Sequence, residues 1–219
     1  MEKTGILTYH YSNNYGGVLQ SYALYAYLRS RRIDAQIINY VPSSYQPDSL
    51  VHNIFSSTWL RKNPRNIEIE DFSPRNFAVR VNAKRKYNKE ITGEFDSFRN
   101  SYLGLSNQVN ENDVHTILHD YRTIIVGSDQ IWGPVERNRS IYFLGFDKFK
   151  GNKVSYAADS TIAEVSEEHI DKLRRELGDF DRISVRNKHS QKFVETVIGE
   201  KPPIVVDPTL LWDFDELGR

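Results

Sequence analysis

The chain has 219 residues and no cysteine, a length of about one and a half domains at roughly 150 residues per domain. Its 29 Lys and Arg balance 29 Asp and Glu, which argues against a dedicated nucleic-acid binder, whose contact surface is strongly basic. The absence of cysteine excludes a disulfide framework, a Cys-based zinc site and a thiol nucleophile. No apolar run approaches the ~20 residues that span a bilayer, and the start MEKTGILTYH resembles neither a signal peptide nor a transit peptide. The expected setting is the cytoplasm.

The first forty residues read as a β-α-β unit. Gly5 to Tyr9 is a short, mostly apolar run suited to a buried strand, followed by polar residues and the pair Gly16-Gly17. From Val18 to Arg32 the spacing is helical, with Leu19, Tyr22, Ala23, Ala26 and Tyr27 on one face and Val18, Leu24 and Leu28 widening it. Residues 35–40 supply a second strand that Pro42 ends. A strand, helix and strand in so short a stretch imply a right-handed crossover and a parallel sheet.

Residues 43–112 differ in character and predict a polar helical insertion. Ten Lys/Arg stand against six Asp/Glu between Trp59 and Arg99, Ser73-Pro74 suits a helix start, and Ile91, Phe95, Phe98 and Tyr102 recur at helical spacing. The alternation then resumes. Residues 121–126, 153–158, 181–185 and 203–206 read as strands, and 166–177 and 188–198 as helices, the first capped by Ser166. Strands alternating with helices predict an α/β fold built on a doubly wound parallel sheet.

In such sheets ligands bind beyond the carboxyl ends of the strands. The residues there are His10 and the Asn13-Asn14-Tyr15-Gly16-Gly17 segment, then Ser128, Asp129, Gln130 and Trp132, then Asp159, Arg186 and Asp207. The Asn-Asn-Tyr-Gly-Gly segment opens a helix whose free N–H groups suit an anion, or it simply caps that helix. Asp129 could take a proton from a sugar hydroxyl or orient it, or cap the next turn, and Trp132 could wall a pocket. Arg186 offers a planar fork to phosphate or carboxylate, or pairs with Asp207 or Asp181. His115-x-x-x-His119 lacks a third ligand at helical spacing, so no metal is expected. No dinucleotide or P-loop glycine pattern occurs.

Five segments together resemble the polysaccharide pyruvyl transferase family: GILTYHYSNNYGGVLQSYAL at 5–24, IIVGSDQIWGP at 124–134, KVSYAADS at 153–160, DRISVRNKHS at 181–190 and VVDPTLLW at 205–212. The resemblance implies a Rossmann-like lobe similar to the N-terminal half of a GT-B-type fold, with the C-terminal lobe absent from this chain. It implies transfer of the enolpyruvyl group of phosphoenolpyruvate onto two sugar hydroxyls, forming a pyruvate ketal in surface-polysaccharide assembly. Asp129 and His10 then become the catalytic candidates. Asn13, Asn14, Gly16, Gly17, Ser128, Gln130, Trp132, Asp159, Arg186 and Asp207 become substrate-binding ones. The implied partners are phosphoenolpyruvate as donor and a glycan or lipid-linked sugar as acceptor, which brings the protein to the membrane periphery, together with self-association. No cofactor is implied. A GT-B-type nucleotide-sugar glycosyltransferase and a non-catalytic glycan-binding or interaction module are the competing expectations.

Overall fold

A computed structural model describes residues 2–43, 45, 90–133, 139–145, 149–162, 165 and 167–217. The chain divides into a larger unit, Met1–Ser43 with Arg99–Arg219, and a smaller one, Ser44–Phe98. Of the smaller unit the described part is residue 45 and residues 90–98, which are helical. The predicted start at Ser73-Pro74 lies outside the described residues. Residues 99–112, which the composition groups with the insertion, belong to the larger unit.

The larger unit is built on four parallel strands, β1 (Thr4–Leu7), β2 (Ala35–Ile37), β3 (Thr123–Val126) and β4 (Asn152–Ser155), in the order β2-β1-β3-β4. The register aligns Leu7 with Val126 and Val126 with Ser155, so the carboxyl ends of the three strands finish level. Every residue of β1 is buried, as expected for a central strand covered on both faces. The helices are α1 (Tyr15–Ser30), α2 (Glu167–Gly178) and α3 (Lys188–Ile198). α1 packs against β2 and the turn at Pro208–Leu210, and α2 packs against α3.

Local chemistry explains the helix bounds. Asn14 accepts a hydrogen bond from the Gly17 N–H and caps α1, and Asn187 does the same for α3 through Ser190 N. Gly199, in the left-handed conformation at φ 79°, ends α3. The capping role expected of Ser166 falls outside the described residues. α1 buries Val18, Gln20, Ser21, Tyr22, Ala23, Leu24, Ala26 and Leu28, more than one amphipathic stripe, in keeping with its wide apolar face.

The strands expected at 181–185 and 203–206 are reduced to single parallel bridges, Val154 to Arg182, Ala158 to Val185 and Val185 to Ile204. They still extend the sheet outward from β4 in chain order. On the far edge Leu105 bridges Ile37 and Val109 bridges Tyr40. The sheet is therefore broader than its four regular strands.

Candidate functional site at the carboxyl rim

From β1 the chain crosses first to β2 on one side, and later enters β3 on the other. The crossovers diverge at the β1–β3 boundary, which makes the carboxyl ends of these strands the natural crevice of the fold. A buried amide stitches that point together. Gln20 of α1 donates through Nε2 to Thr8 Oγ1 (2.8 Å) and to Gly17 O (2.9 Å), while its Oε1 accepts from the Ser128 N–H (3.1 Å). The ends of β1 and β3 and the start of α1 are thus held by one side chain that is 3% exposed.

The segment after β3 leaves the sheet by a backbone path that glycine permits. Gly127 has φ 115°, and a Cβ there would stand 2.2 Å from the carbonyl oxygen of Tyr156. The Gly127–Ser128 peptide is cis, and Asp129 follows with φ 74°, a conformation that aspartate tolerates better than most residues. The path presents Asp129 toward α1. A Cβ at Gly17 would lie 3.3 Å from Asp129 Oδ2 and 3.2 Å from Ser12 Oγ, so the carboxylate sits beside the positive end of the helix dipole. Oδ1 accepts from Gln130 N at 2.7 Å. The chain rejoins the sheet at Trp132, which bridges Ser160.

A charged network spans the next strand ends. Arg186 donates to Asp159 Oδ2 at 2.5 Å and to Asp207 Oδ2 at 3.2 Å. Asp159 Oδ1 accepts from Asn187 Nδ2 (2.8 Å) and Ser190 Oγ (2.7 Å). Asp207 Oδ1 accepts from Thr209 N (3.0 Å) and Thr209 Oγ1 (2.8 Å). The Ser128 hydroxyl lies 3.1 Å from Ala157 O and 3.3 Å from Asp207 Oδ2, so its single proton is shared between two acceptors. The Asp159 N–H donates to Asp129 O at 3.0 Å. Four segments far apart in sequence thus form one hydrogen-bonded rim.

Burial alone would raise the pKa of Asp159, but bonds from Ser190, Arg186 and Asn187 outweigh it and hold the carboxyl below its usual range. The same balance lowers Asp207, through Thr209 and Arg186. Burial would lower Arg186, and its two carboxylate partners raise it instead. Of the alternatives open for Arg186, the structure shows the ion pair with Asp207, adds Asp159 as a second partner, and assigns Asp181 to the Lys153 N–H instead. Two carboxylates against one guanidinium leave this trio with one net negative charge.

The remaining candidates divide between rim and core. Asn14 and Gly16 are exposed at the start of α1, and Gln130 is exposed after Asp129. Asn13 Oδ1 accepts from Arg99 Nη2 at 3.0 Å. His10 and Trp132 correct the expectation of side chains facing a ligand, because both are fully buried. His10 Nδ1 donates to Thr8 O at 3.2 Å, and Nε2 stands 3.0 Å from the Asn39 amide. Burial is the main cause of its lowered pKa, and the contact of Nε2 is with Asn39 Oδ1. Both ring nitrogens are engaged, and neither reaches the crevice. Trp132 stacks on Phe143 at a centroid distance of 5.9 Å and donates from Nε1 to Tyr142 O at 3.2 Å. It is a pillar of the core and not a pocket wall, because its backbone re-enters the sheet.

Two rim residues were not anticipated. Gln20 is one. Arg99 is the other: it is 7% exposed and donates to Ser12 O at 3.3 Å as well as to Asn13. The signal for Arg99 was a basic residue placed on an apolar stripe, four positions after Phe95 and four before Leu103. For Gln20 it was an amide amid the buried face of α1.

Among the described residues no group of three or more candidate ligands could hold a metal ion, and no helix is long and apolar enough to cross a membrane. Two cavities of about 490 and 810 Å³ lie near the amino ends of the strands, beside Lys3, Arg122, Gly151 and Lys153, and include no candidate rim residue.

A parallel sheet flanked by helices, with a polar rim where its crossovers diverge, defines a Rossmann-like α/β fold. The chain belongs to the polysaccharide pyruvyl transferase family, whose model matches residues 14–218. No curated protein matches the chain.

Proposed function

We propose that this chain supplies the N-terminal lobe of a polysaccharide pyruvyl transferase and works on phosphoenolpyruvate and a sugar bearing two neighbouring hydroxyls. The observation that carries this reading is the rim network Ser128–Asp207–Arg186–Asp159, which lies inside the matched span. The donor carries a carboxylate and a phosphate. Arg186, with its side chain 29% exposed and its fork held in one orientation by two acids, suits such a planar anion. The trio's net negative charge calls for further cations, and Arg99 behind the β1–α1 loop adds one.

In this reading the methylene carbon of the donor takes a proton and becomes a methyl group, leaving its neighbour electrophilic. One sugar hydroxyl bonds to that carbon, the bond to phosphate breaks, and the second hydroxyl closes the ketal. Two hydroxyl protons are released: one balances the proton gained by the methyl group, and the other leaves with phosphate. Asp129, beside the first turn of α1, is the group this reading assigns to take a hydroxyl proton. The donor is an intracellular metabolite, so the reaction is assigned to the cytoplasmic side of a membrane that carries the acceptor.

The test is phosphate release from phosphoenolpyruvate in the presence of acceptor glycan, with the ketal methyl group followed by proton NMR. The expected result is stoichiometric phosphate and ketal, lost in Arg186→Ala and Asp129→Ala variants that keep the wild-type circular dichroism. Turnover of a nucleotide sugar instead would replace this reading with glycosyl transfer.

A further inference from the structure

The buried amide beneath the rim is more specific than packing requires. Gln20 sits among Val18, Tyr22, Ala23 and Leu24 on the buried side of α1, where an unbranched apolar side chain would serve a helix as well. Its amide has one permitted orientation. The Ser128 N–H only donates and the Gly17 carbonyl only accepts, so Oε1 faces the first at 3.1 Å and Nε2 the second at 2.9 Å. Nε2 shares its protons with Thr8 Oγ1 at 2.8 Å and Ser21 Oγ at 2.9 Å, and the Ser21 hydroxyl donates to Gly17 O at 2.7 Å. The Thr8 hydroxyl in turn donates to Ser128 O at 3.4 Å.

Ser128 is therefore gripped at three points: its N–H by Gln20, its carbonyl by Thr8, and its hydroxyl between Ala157 O and Asp207. Thr8, Gln20, Ser21 and Ser128 are all buried, and a buried polar network whose members are all bonded specifies one arrangement. What stands on either side gives the grip its meaning. Gln20 holds Gly17 O, and a Cβ at Gly17 would lie 3.3 Å from Asp129 Oδ2. It also holds Ser128, the residue that leads into Asp129. One amide thus fixes both walls of the gap in which the Asp129 carboxylate stands. Through the Ser128 hydroxyl the same grip reaches Asp207, which accepts from Arg186 at 3.2 Å. Gln20 is too buried to touch a ligand itself, so it acts through Ser128 and Asp129.

We infer that Gln20, with Thr8 as its second point of hold, is a positioning residue for group transfer at this rim, setting the place of the Asp129 carboxylate against the first turn of α1. The consequence for turnover rests on the pyruvyl-transfer reading, whereas the control of Asp129 does not. Misplacing a reacting group by about 1 Å costs as much as about 10²-fold in rate, so loss of the hold shows in kcat. Donor binding is spared, because Arg186 keeps its bond to Asp159 whatever Ser128 does.

The experiment uses the full chain as wild type, Gln20→Met, Thr8→Val and Thr8→Ser. Methionine and valine keep the shapes of glutamine and threonine without the polar atoms, and serine keeps the hydroxyl. Relaxation-dispersion NMR at the Asp129 and Gln130 amides reads whether this segment holds one position. Wild type and Thr8→Ser are expected to give flat profiles, and Gln20→Met and Thr8→Val to show μs–ms exchange. Phosphate release from phosphoenolpyruvate with acceptor glycan is measured well below every melting midpoint. Gln20→Met is expected to lower kcat by about tenfold or more while KM for phosphoenolpyruvate stays within about twofold, and Thr8→Ser to recover the kcat lost in Thr8→Val. A merely structural Gln20 lowers the melting temperature and leaves the profiles flat. Flat profiles in Gln20→Met overturn the inference whatever the turnover, and so does an unchanged kcat, or a KM that rises as kcat falls. Exchange at Asp129 in Gln20→Met, together with no phosphate release by wild type, overturns the pyruvyl-transfer reading and leaves the control of Asp129 standing.

Discussion

Replacing Asp159 by alanine removes the acid that gathers most of the rim. Its carboxylate is 9% exposed and accepts from Arg186, Asn187 and Ser190, while Arg186 keeps only Asp207 once it is gone. Breaking one side of a buried ion pair costs about 3–5 kcal/mol. The Arg186 side chain is 29% exposed and retains a second acid, so the lower end applies, about 3 kcal/mol. For a chain of this size each kcal/mol moves the melting temperature by roughly 2–4 °C, giving a fall of about 6–12 °C by differential scanning calorimetry. Asp159→Asn keeps an acceptor for Ser190 and Asn187 and is expected to lose about half as much. The pH dependence has a definite sign. The folded pKa of Asp159 is depressed, so its stabilisation is complete above the unfolded value near ~3.9 and is lost as pH falls through the lower folded value. Asp159→Ala should therefore shrink the acid-induced drop in stability below about pH 4. A variant that melts within about 1 °C of wild type, with an unaltered acid limb, refutes this account of the rim.

Three further outcomes are expected. Gly127→Ala forces a Cβ against the Tyr156 carbonyl at a positive φ and should cost at least ~3 kcal/mol in urea denaturation; a loss below about 1 kcal/mol would contradict the backbone path. His10 has a depressed pKa through burial, so stability should fall as pH drops from about 6.5 toward its lower folded value. Urea midpoints at several pH values should show that slope in wild type and a flatter one in His10→Gln, and equal slopes would count against a buried neutral ring. Gln20→Leu leaves the Ser128 N–H without its acceptor and removes the donor to the Thr8 hydroxyl, which keeps only Ser128 O, and should destabilise by roughly 2 kcal/mol. It should also raise amide exchange at Ser128, and unchanged exchange there would remove Gln20 as the stitch.

Much of the scaffold was legible because it follows from local rules. Asn14 stands in the segment that could cap α1, and it does; Asn187 caps α3 in the same way. The helix read over 188–198 has those bounds in the structure. The segments at 181–185 and 203–206 were apolar enough to suggest strands, yet form only bridges. In the outer segment Pro203 contributes no N–H, and the ladder is confined to Val185 N with Pro203 O and Val205 N with Val185 O. Hydrophobic patterning reports burial; it does not count ladder bonds.

The sequence by itself determined the order of strands and helices, the parallel sheet that this order requires, and the polar character of the rim, because period, capping and crossover handedness act over a few residues. Tertiary structure alone decided which rim groups face outward. His10 and Trp132 became interior groups, Arg186 acquired acids 21 and 27 positions away, and Arg99 reached the β1–α1 loop from 86 positions downstream. Exposure and charge pairing are set by neighbours that meet only when the sheet closes, and the spacing of residues along a chain carries no record of that meeting.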